Sequence, residues 1–255
     1  MARIRFPTFV YFVFALFVSF VPARAQELFS RFDFRFDGQY LVTSDPRFNW
    51  SFNFGADTDV VDYRRGRAAF RANYEALAGE ELRRFDVNQG NYLLEGSLSM
   101  RRPRVELAVV WHHISRHVSD REKRFPIDWN QIAGRVLANW TRGQTVVRSE
   151  TDVRATVTKA YVDYSWEIES TARLRSPLSP RYSAFGWGNI RIVGVDGSRD
   201  RGTQWAGRAE AGVRLNGKLA AAELFAGVER RLDPYQLEFG TSSWVLAGFR
   251  LTSMP

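Results

Sequence analysis

The chain has no cysteine, only three histidines, and after its first 25 residues no apolar run long enough for a membrane helix. Without cysteine, neither disulfides nor thiolate metal sites can hold the fold together, so packing and hydrogen bonds must do so. Without an apolar run of roughly 20 residues, no helix of the mature chain is expected to span a bilayer. All three histidines, His112, His113 and His117, fall in one stretch, "VVWHHISRHVSD". His113 and His117 would stand roughly 13 Å apart on a strand, too far to share one ion. No glycine-rich phosphate loop and no zinc-protease pattern is present, so no metal and no cofactor is expected.

The formal charge of +8 is only weakly informative, because Arg3, Arg5 and Arg24 contribute three of those charges. The rest alternate with apolar residues instead of forming basic blocks, which argues against a nucleic-acid partner.

The first 25 residues combine Arg3 and Arg5, an apolar run from Phe9 to Val21, and the small-x-small triplet Ala23-Arg24-Ala25. This is the form of a cleaved signal peptide, so we expect residues 1–25 to be a leader and 26–255 a single exported domain.

In the exported part the recurring pattern is alternation with a period of two. In "GTQWAGRAEAGVRLNG", Trp205, Ala209, Ala211, Val213 and Leu215 share one face, while Arg208, Glu210 and Arg214 share the other. Such segments run longer than the usual strand of about 5–6 residues and match tilted membrane strands of roughly 9–11 plus extensions. Short breaks such as "RRPR" and "NGK" alternate with longer ones such as "GEELRRFDVNQGN", Gly79 to Asn91. Strands are expected near 30–42, 48–60, 67–78, 92–101, 105–115, 128–141, 145–158, 161–175, 182–194, 203–216, 219–231 and 243–253. The fold class is therefore all-β: a transmembrane antiparallel up-and-down β-barrel of about twelve strands.

Leader, alternation and loop rhythm together resemble a Gram-negative outer-membrane β-barrel over the whole mature chain. That resemblance implies a place in the cell outer membrane with both termini in the periplasm. Its partners would be outer-membrane lipid, lipopolysaccharide and the barrel assembly machinery. The end "GFRLTSMP" departs from the terminal aromatic residue common in such barrels.

With apolar faces turned to lipid, the charged faces must line the lumen. Arg148, Glu150, Asp152, Arg154, Glu167, Glu169, Arg208, Glu210, Arg214, Glu223 and Glu229 should form a network there, leaving the lumen narrow or closed. If Asn216-Gly217 is a two-residue turn, Glu210 lies opposite Glu223.

On "VELAVVWHHIS", Val105, Leu107, Val109 and Trp111 alternate outward, and His113 and Ser115 continue that face while His112 points inward. A His-x-Ser pair on the lipid side of a barrel strand resembles outer-membrane phospholipase A and the lipid A deacylases. By that resemblance His113 would be the base, Ser115 the nucleophile, and Asn130, or else Asp128, the group that orients the histidine. In those families an Asn and a small residue follow the serine, whereas Arg116 and His117 follow Ser115. The fuller pattern His113-x-Ser115-x-His117-x-x-Asp120 resembles uncharacterised outer-membrane barrels, and it also fits a polar rim where strand becomes loop. The function expected is that of a non-enzymatic barrel, either a narrow channel or a structural or surface protein; the alternative is a lipid-directed acyl ester hydrolase.

Overall fold

The computed structural model describes residues 27–119, 122, 125–253, so the expected leader and Asp120 lie outside the described residues. Twelve strands, β1(Glu27–Val42), β2(Trp50–Asp62), β3(Arg67–Gly79), β4(Asp86–Arg101), β5(Val105–Val118), β6(Asp128–Arg142), β7(Thr145–Ala160), β8(Tyr164–Pro177), β9(Tyr182–Val195), β10(Gln204–Asn216), β11(Ala220–Leu232) and β12(Thr241–Ser253), form one sheet. Each strand pairs antiparallel with its chain neighbours, and β1 closes on β12 through pairs such as Tyr40 with Ala247. Closure leaves no unpaired edge, so the backbone is satisfied within the barrel and the outer face can lie in hydrocarbon.

The two faces differ as the alternation requires. Val109, Val153, Val213, Leu224 and Val245 stand exposed on the outside, while Glu95, Arg135, Asp152, Glu167 and Glu223 are buried inside. Such a surface would be costly in water and suits lipid. The chain is a membrane-spanning barrel.

Three details differ from the sequence expectation. β4 starts at Asp86, so the expected long connection from Gly79 to Asn91 shrinks to residues 80–85. Asn88 and Gln89, polar residues of the kind that fill loops, are buried in that strand extension. The β7–β8 link is only residues 161–163, with Tyr161 in the left-handed region at φ 67°. Finally, the β10–β11 turn is centred on Lys218 and Leu219, because Gly217 N–H donates to Ala220 C=O at 2.9 Å and Asn216 pairs with Ala221. Glu210 therefore faces Gly227, and Glu223 faces Arg214. The slip is an even number of residues, so no side chain changes face.

The lumen has three layers. At the rim bearing the longer connections it is packed with apolar side chains: Leu41, Phe48, Leu77, Trp244 and Leu246 in one cluster, Ile127, Trp129, Tyr164, Val193 and Leu232 in another. Below them lies a layer of paired charges. Arg135 meets Asp152 at 2.7 Å and Glu95 at 2.9 Å, Arg154 meets Asp152 at 2.7 Å, and Arg191 meets Glu167 at 2.7 Å. Toward the short-turn end the lumen widens into recesses of about 450, 850 and 250 Å³. The apolar clusters fill the lumen toward the long-loop end, and the recesses lie toward the other as a vestibule.

Candidate functional site at the membrane-facing end of β5

β5 carries Leu107, Val109 and Trp111 outward and Ala108, Val110 and His112 inward. His112 is buried, and its Nδ1 lies 2.7 Å from Glu95 Oε1, a carboxylate that also receives Arg135. It belongs to the charged layer of the lumen.

His113, the next residue, must face the other way. Its register partner on β6 is Asn130, and Nδ1 of His113 lies 2.9 Å from Oδ1 of Asn130. Asn130 in turn donates from Nδ2 to Thr158 Oγ1 at 2.9 Å. A donating Nδ2 turns Oδ1 toward the histidine, so Nδ1 must carry the imidazole proton. Nε2 is then left with the free lone pair, as a base requires.

Local irregularity in β7 makes this contact. The register between β6 and β7 shifts between Asn130 and Gln131, where Asn130 pairs with Thr158 and Gln131 with Thr156. Val157 is the extra residue of a bulge, which brings Thr158 round to the outer face beside Asn130. Gln131, one residue on, points inward and donates to Glu167 at 2.9 Å. Sequence alternation located Asn130 outward but gave no sign of the bulge, so Thr158 was missed.

Two residues beyond His113 on the same face stands Ser115. Its hydroxyl lies 2.9 Å from Nε2 of His117, not on His113 as the His-x-Ser resemblance implied. The reason is the row itself: Ser115 stands between two imidazoles of the same face, one strand repeat of two residues away on either side. Asn130 holds His113, whereas Tyr92 packs against the edge of His117 at a centroid distance of 5.2 Å. Asp128, the other candidate to orient the histidine, is the register partner of Ser115, and Asn130 holds the place opposite His113.

Aromatic rings frame the row. Trp111 stacks on His113 at 5.9 Å, and Tyr74 packs on Tyr92 at 4.7 Å. Amphipathic rings of this kind mark the level where lipid headgroups begin. The row thus presents an oriented imidazole, a hydroxyl and a second imidazole at the lipid interface. Chemically it can deprotonate the hydroxyl and hold the proton nearby.

The lumenal charges sort into a network with one exception. Arg250, on β12, bridges Glu210 at 2.9 Å and Glu223 at 3.2 Å, so the two carboxylates are joined through a cation instead of facing each other. Arg214 meets Glu223 at 2.8 Å, Arg208 meets Glu229 at 3.3 Å, and Glu150 lies 3.0 Å from Arg71. Glu169 pairs with Arg154. Arg148 was expected in this network, yet among the described residues it has no carboxylate partner; it lines the vestibule beside Arg173.

No protein-family model and no curated protein matches the chain. Solved structures with a similar fold include LpxR from Salmonella typhimurium, at TM-score 0.49 and 9% identity, covering 88% of this chain and 100% of that one. The KdgM porin in complex with disordered oligogalacturonate gives 0.48 and 9%, covering 88% and 98%. OmpT of Vibrio cholerae gives 0.48 and 9%, covering 88% and 96%. Each is an outer-membrane barrel, and the likeness is one of fold.

Proposed function

We propose that this outer-membrane barrel works at its lipid-facing surface, as an acyl ester hydrolase acting on membrane lipid, with its lumen sealed. The observation that carries the reading is the chain Thr158–Asn130–His113 beside Ser115 on the outer face. A side chain in hydrocarbon or at its edge has no reason to be polar unless it is partnered or used. Here four polar side chains from three strands converge and fix one imidazole tautomer.

Ser115 Oγ attacks the ester carbonyl, and an imidazole takes its proton. The tetrahedral intermediate collapses to an acyl-serine, and the lipid alcohol leaves with that proton. Water, deprotonated in the same way, then attacks the acyl-serine and releases the fatty acid. His117 touches Ser115 in the resting arrangement, and His113 is the base whose lone pair Asn130 and Thr158 direct. His113 stands two residues from Ser115 on the same face of β5.

In this reading residues 1–25 are the cleaved leader, and the barrel assembly machinery inserts the chain. Both termini and all short turns lie in the periplasm, as in barrels with short periplasmic turns. The row then sits in the outer leaflet, where lipopolysaccharide is the neighbouring ester. Release of fatty acid from lipopolysaccharide or phospholipid micelles by the purified protein tests the proposal: it should vanish in Ser115→Ala. Release that persists in that variant overturns it.

A non-enzymatic structural barrel is favoured by one observation, the pairing of Ser115 with His117 in place of His113. It predicts no release by the wild type under any lipid presentation.

A further inference from the structure

At the opposite end of the barrel the vestibule carries more cations than its carboxylates can neutralise. Its recess of about 250 Å³ is lined by Arg35, Arg148, Arg173, Arg175 and Arg214, with a single carboxylate, Asp33. Asp33 is already engaged by Arg31 and by the hydroxyl of Ser253 at 3.0 Å. Glu223, buried behind the recess, is shared by Arg173, Arg214 and Arg250. Neither Arg148 nor Arg175 has an ion-pair or hydrogen-bond partner among the described residues.

The register sharpens the imbalance. Arg148 on β7 is the direct cross-strand partner of Arg173 on β8, and both face the lumen. Like charges placed so have Cβ atoms about 4.5–5.5 Å apart and destabilise the pair. Arg175 lies on the same face of β8, one pleat nearer the rim. Elsewhere in this lumen nearly every arginine has a carboxylate within 3.5 Å, as Arg135, Arg154 and Arg250 do. In this wall Arg35 has Asp37 at 3.2 Å, and Arg173 and Arg214 share Glu223, which leaves Arg148 and Arg175 as the two guanidiniums without a carboxylate among the described residues.

We propose that this wall is the binding site for a multiply charged oxyanion solute of the phosphate class, entering from the short-turn end. Arg148 and Arg175 supply free guanidinium forks, each able to pair bidentately with two oxygens of a phosphate group, and Arg173 stands beside them on Glu223. The wider recess beyond adds Arg102 and Arg104 at the rim, and although Asp57, Glu106 and Glu150 also line it, its arginines outnumber its carboxylates, so the approach is net positive and draws anions inward. The apolar clusters toward the long-loop end make this a binding site and not a conduit. The proposal is independent of the hydrolase reading, since the two sites lie at opposite ends and on opposite faces of the wall.

The test uses the full mature chain in detergent with pyrophosphate as probe, at ionic strength held constant with chloride. Calorimetry should show saturable binding to the wild type and a loss of about tenfold or more in affinity for Arg148→Gln with Arg175→Gln. The turn variant Arg142→Gln should bind as the wild type does. A second readout guards against misfolding: in chloride alone Arg148→Gln should unfold at or above the wild-type temperature, because it relieves the repulsion with Arg173, and pyrophosphate should no longer raise that temperature. Undetectable pyrophosphate binding by the wild type, or equal affinity in the double variant, overturns the proposal.

Discussion

His113 Nδ1 lies 2.9 Å from Asn130 Oδ1, across a register pair that joins β5 to β6 on the membrane-facing side. The contact matters because the amide of Asn130 is itself fixed by Thr158. Replacing Asn130 by Ala frees the imidazole to choose the other tautomer. Fatty-acid release should then fall by roughly 10- to 100-fold, the range for removing a group that orients another. His113→Ala should cost about 10²- to 10⁴-fold, as loss of a general base does. Thr158→Val, which keeps shape and removes the acceptor, should cost less than Asn130→Ala. Rates for the three variants, measured on one micellar lipid, give the order directly, and equal rates would deny the relay.

The sealed lumen predicts silence in planar bilayers. Phe48 and Trp244, with ring centroids 5.7 Å apart, sit in the apolar layer that closes the long-loop end. Wild-type protein should give no steady conductance. The double change Phe48→Ala and Trp244→Ala should create a leak, along with a stability loss of about 3–5 kcal/mol for each large aromatic removed. Discrete openings in the wild type would show that the apolar layer moves aside.

Three loops at the sealed end are tied by one cation. Arg201, in the β9–β10 connection, reaches Asp163 of the β7–β8 link at 2.5 Å and Asp233 of the β11–β12 connection at 2.9 Å, and both carboxylates are buried. These carboxylates hold the Arg201 guanidinium more firmly protonated than usual, against the opposing effect of its burial. Arg201→Met would leave two carboxylates buried without their cation, a loss of roughly 3–5 kcal/mol by analogy with other broken buried pairs. The shift in unfolding temperature of the heat-modifiable band in gel electrophoresis reads it out. An unchanged transition would show that the loops contribute little to the barrel.

Acid should loosen the β1–β2 connection. The Arg47 side chain bonds to Asp45 and holds its carboxyl below the usual range. Arg47 also packs over Phe48 and Tyr235, so the pair pins this loop to the sealed end. A depressed carboxylate stabilises the fold above its ordinary pKa of about 3.9, and that contribution disappears as pH falls through the lower folded value. Protease cleavage in residues 43–49 should therefore rise as the pH drops below about 4, and Asp45→Asn should cleave at neutral pH as the wild type does in acid. A pH-independent cleavage rate in the wild type would contradict this.

Much of this molecule was legible in its sequence, and the reasons are physical. Period-two alternation locates His112 inward and His113 and Ser115 outward, because a strand has no freedom in that parity. The same alternation puts Asn130 opposite His113 on the outer face and the paired Arg and Glu side chains inside, although Arg148 has no carboxylate partner among the described residues and the Asn216-Gly217 turn misled. An even register slip preserves faces while changing partners, which is why Glu210 and Glu223 stayed in the lumen but met through Arg250. What could not be read was tertiary. The apolar plug draws on residues such as Phe48 and Ile127 that sit in connections, where apolar character has no periodic signature. The β7 bulge at Val157 and the choice of His117 by Ser115 depend on side-chain rotation and local twist, which spacing does not encode.

In the proposed hydrolase Ser115 is a nucleophile activated at the lipid interface. The most direct measurement of this is mass spectrometry of the protein after treatment in lipid micelles with a long-chain fluorophosphonate, which phosphonylates an activated serine and expels fluoride. One adduct is expected, on Ser115, strongly reduced in His113→Ala with His117→Ala and slowed in Asn130→Ala. Absence of any Ser115 adduct, or labelling that is indifferent to both imidazoles, would contradict it.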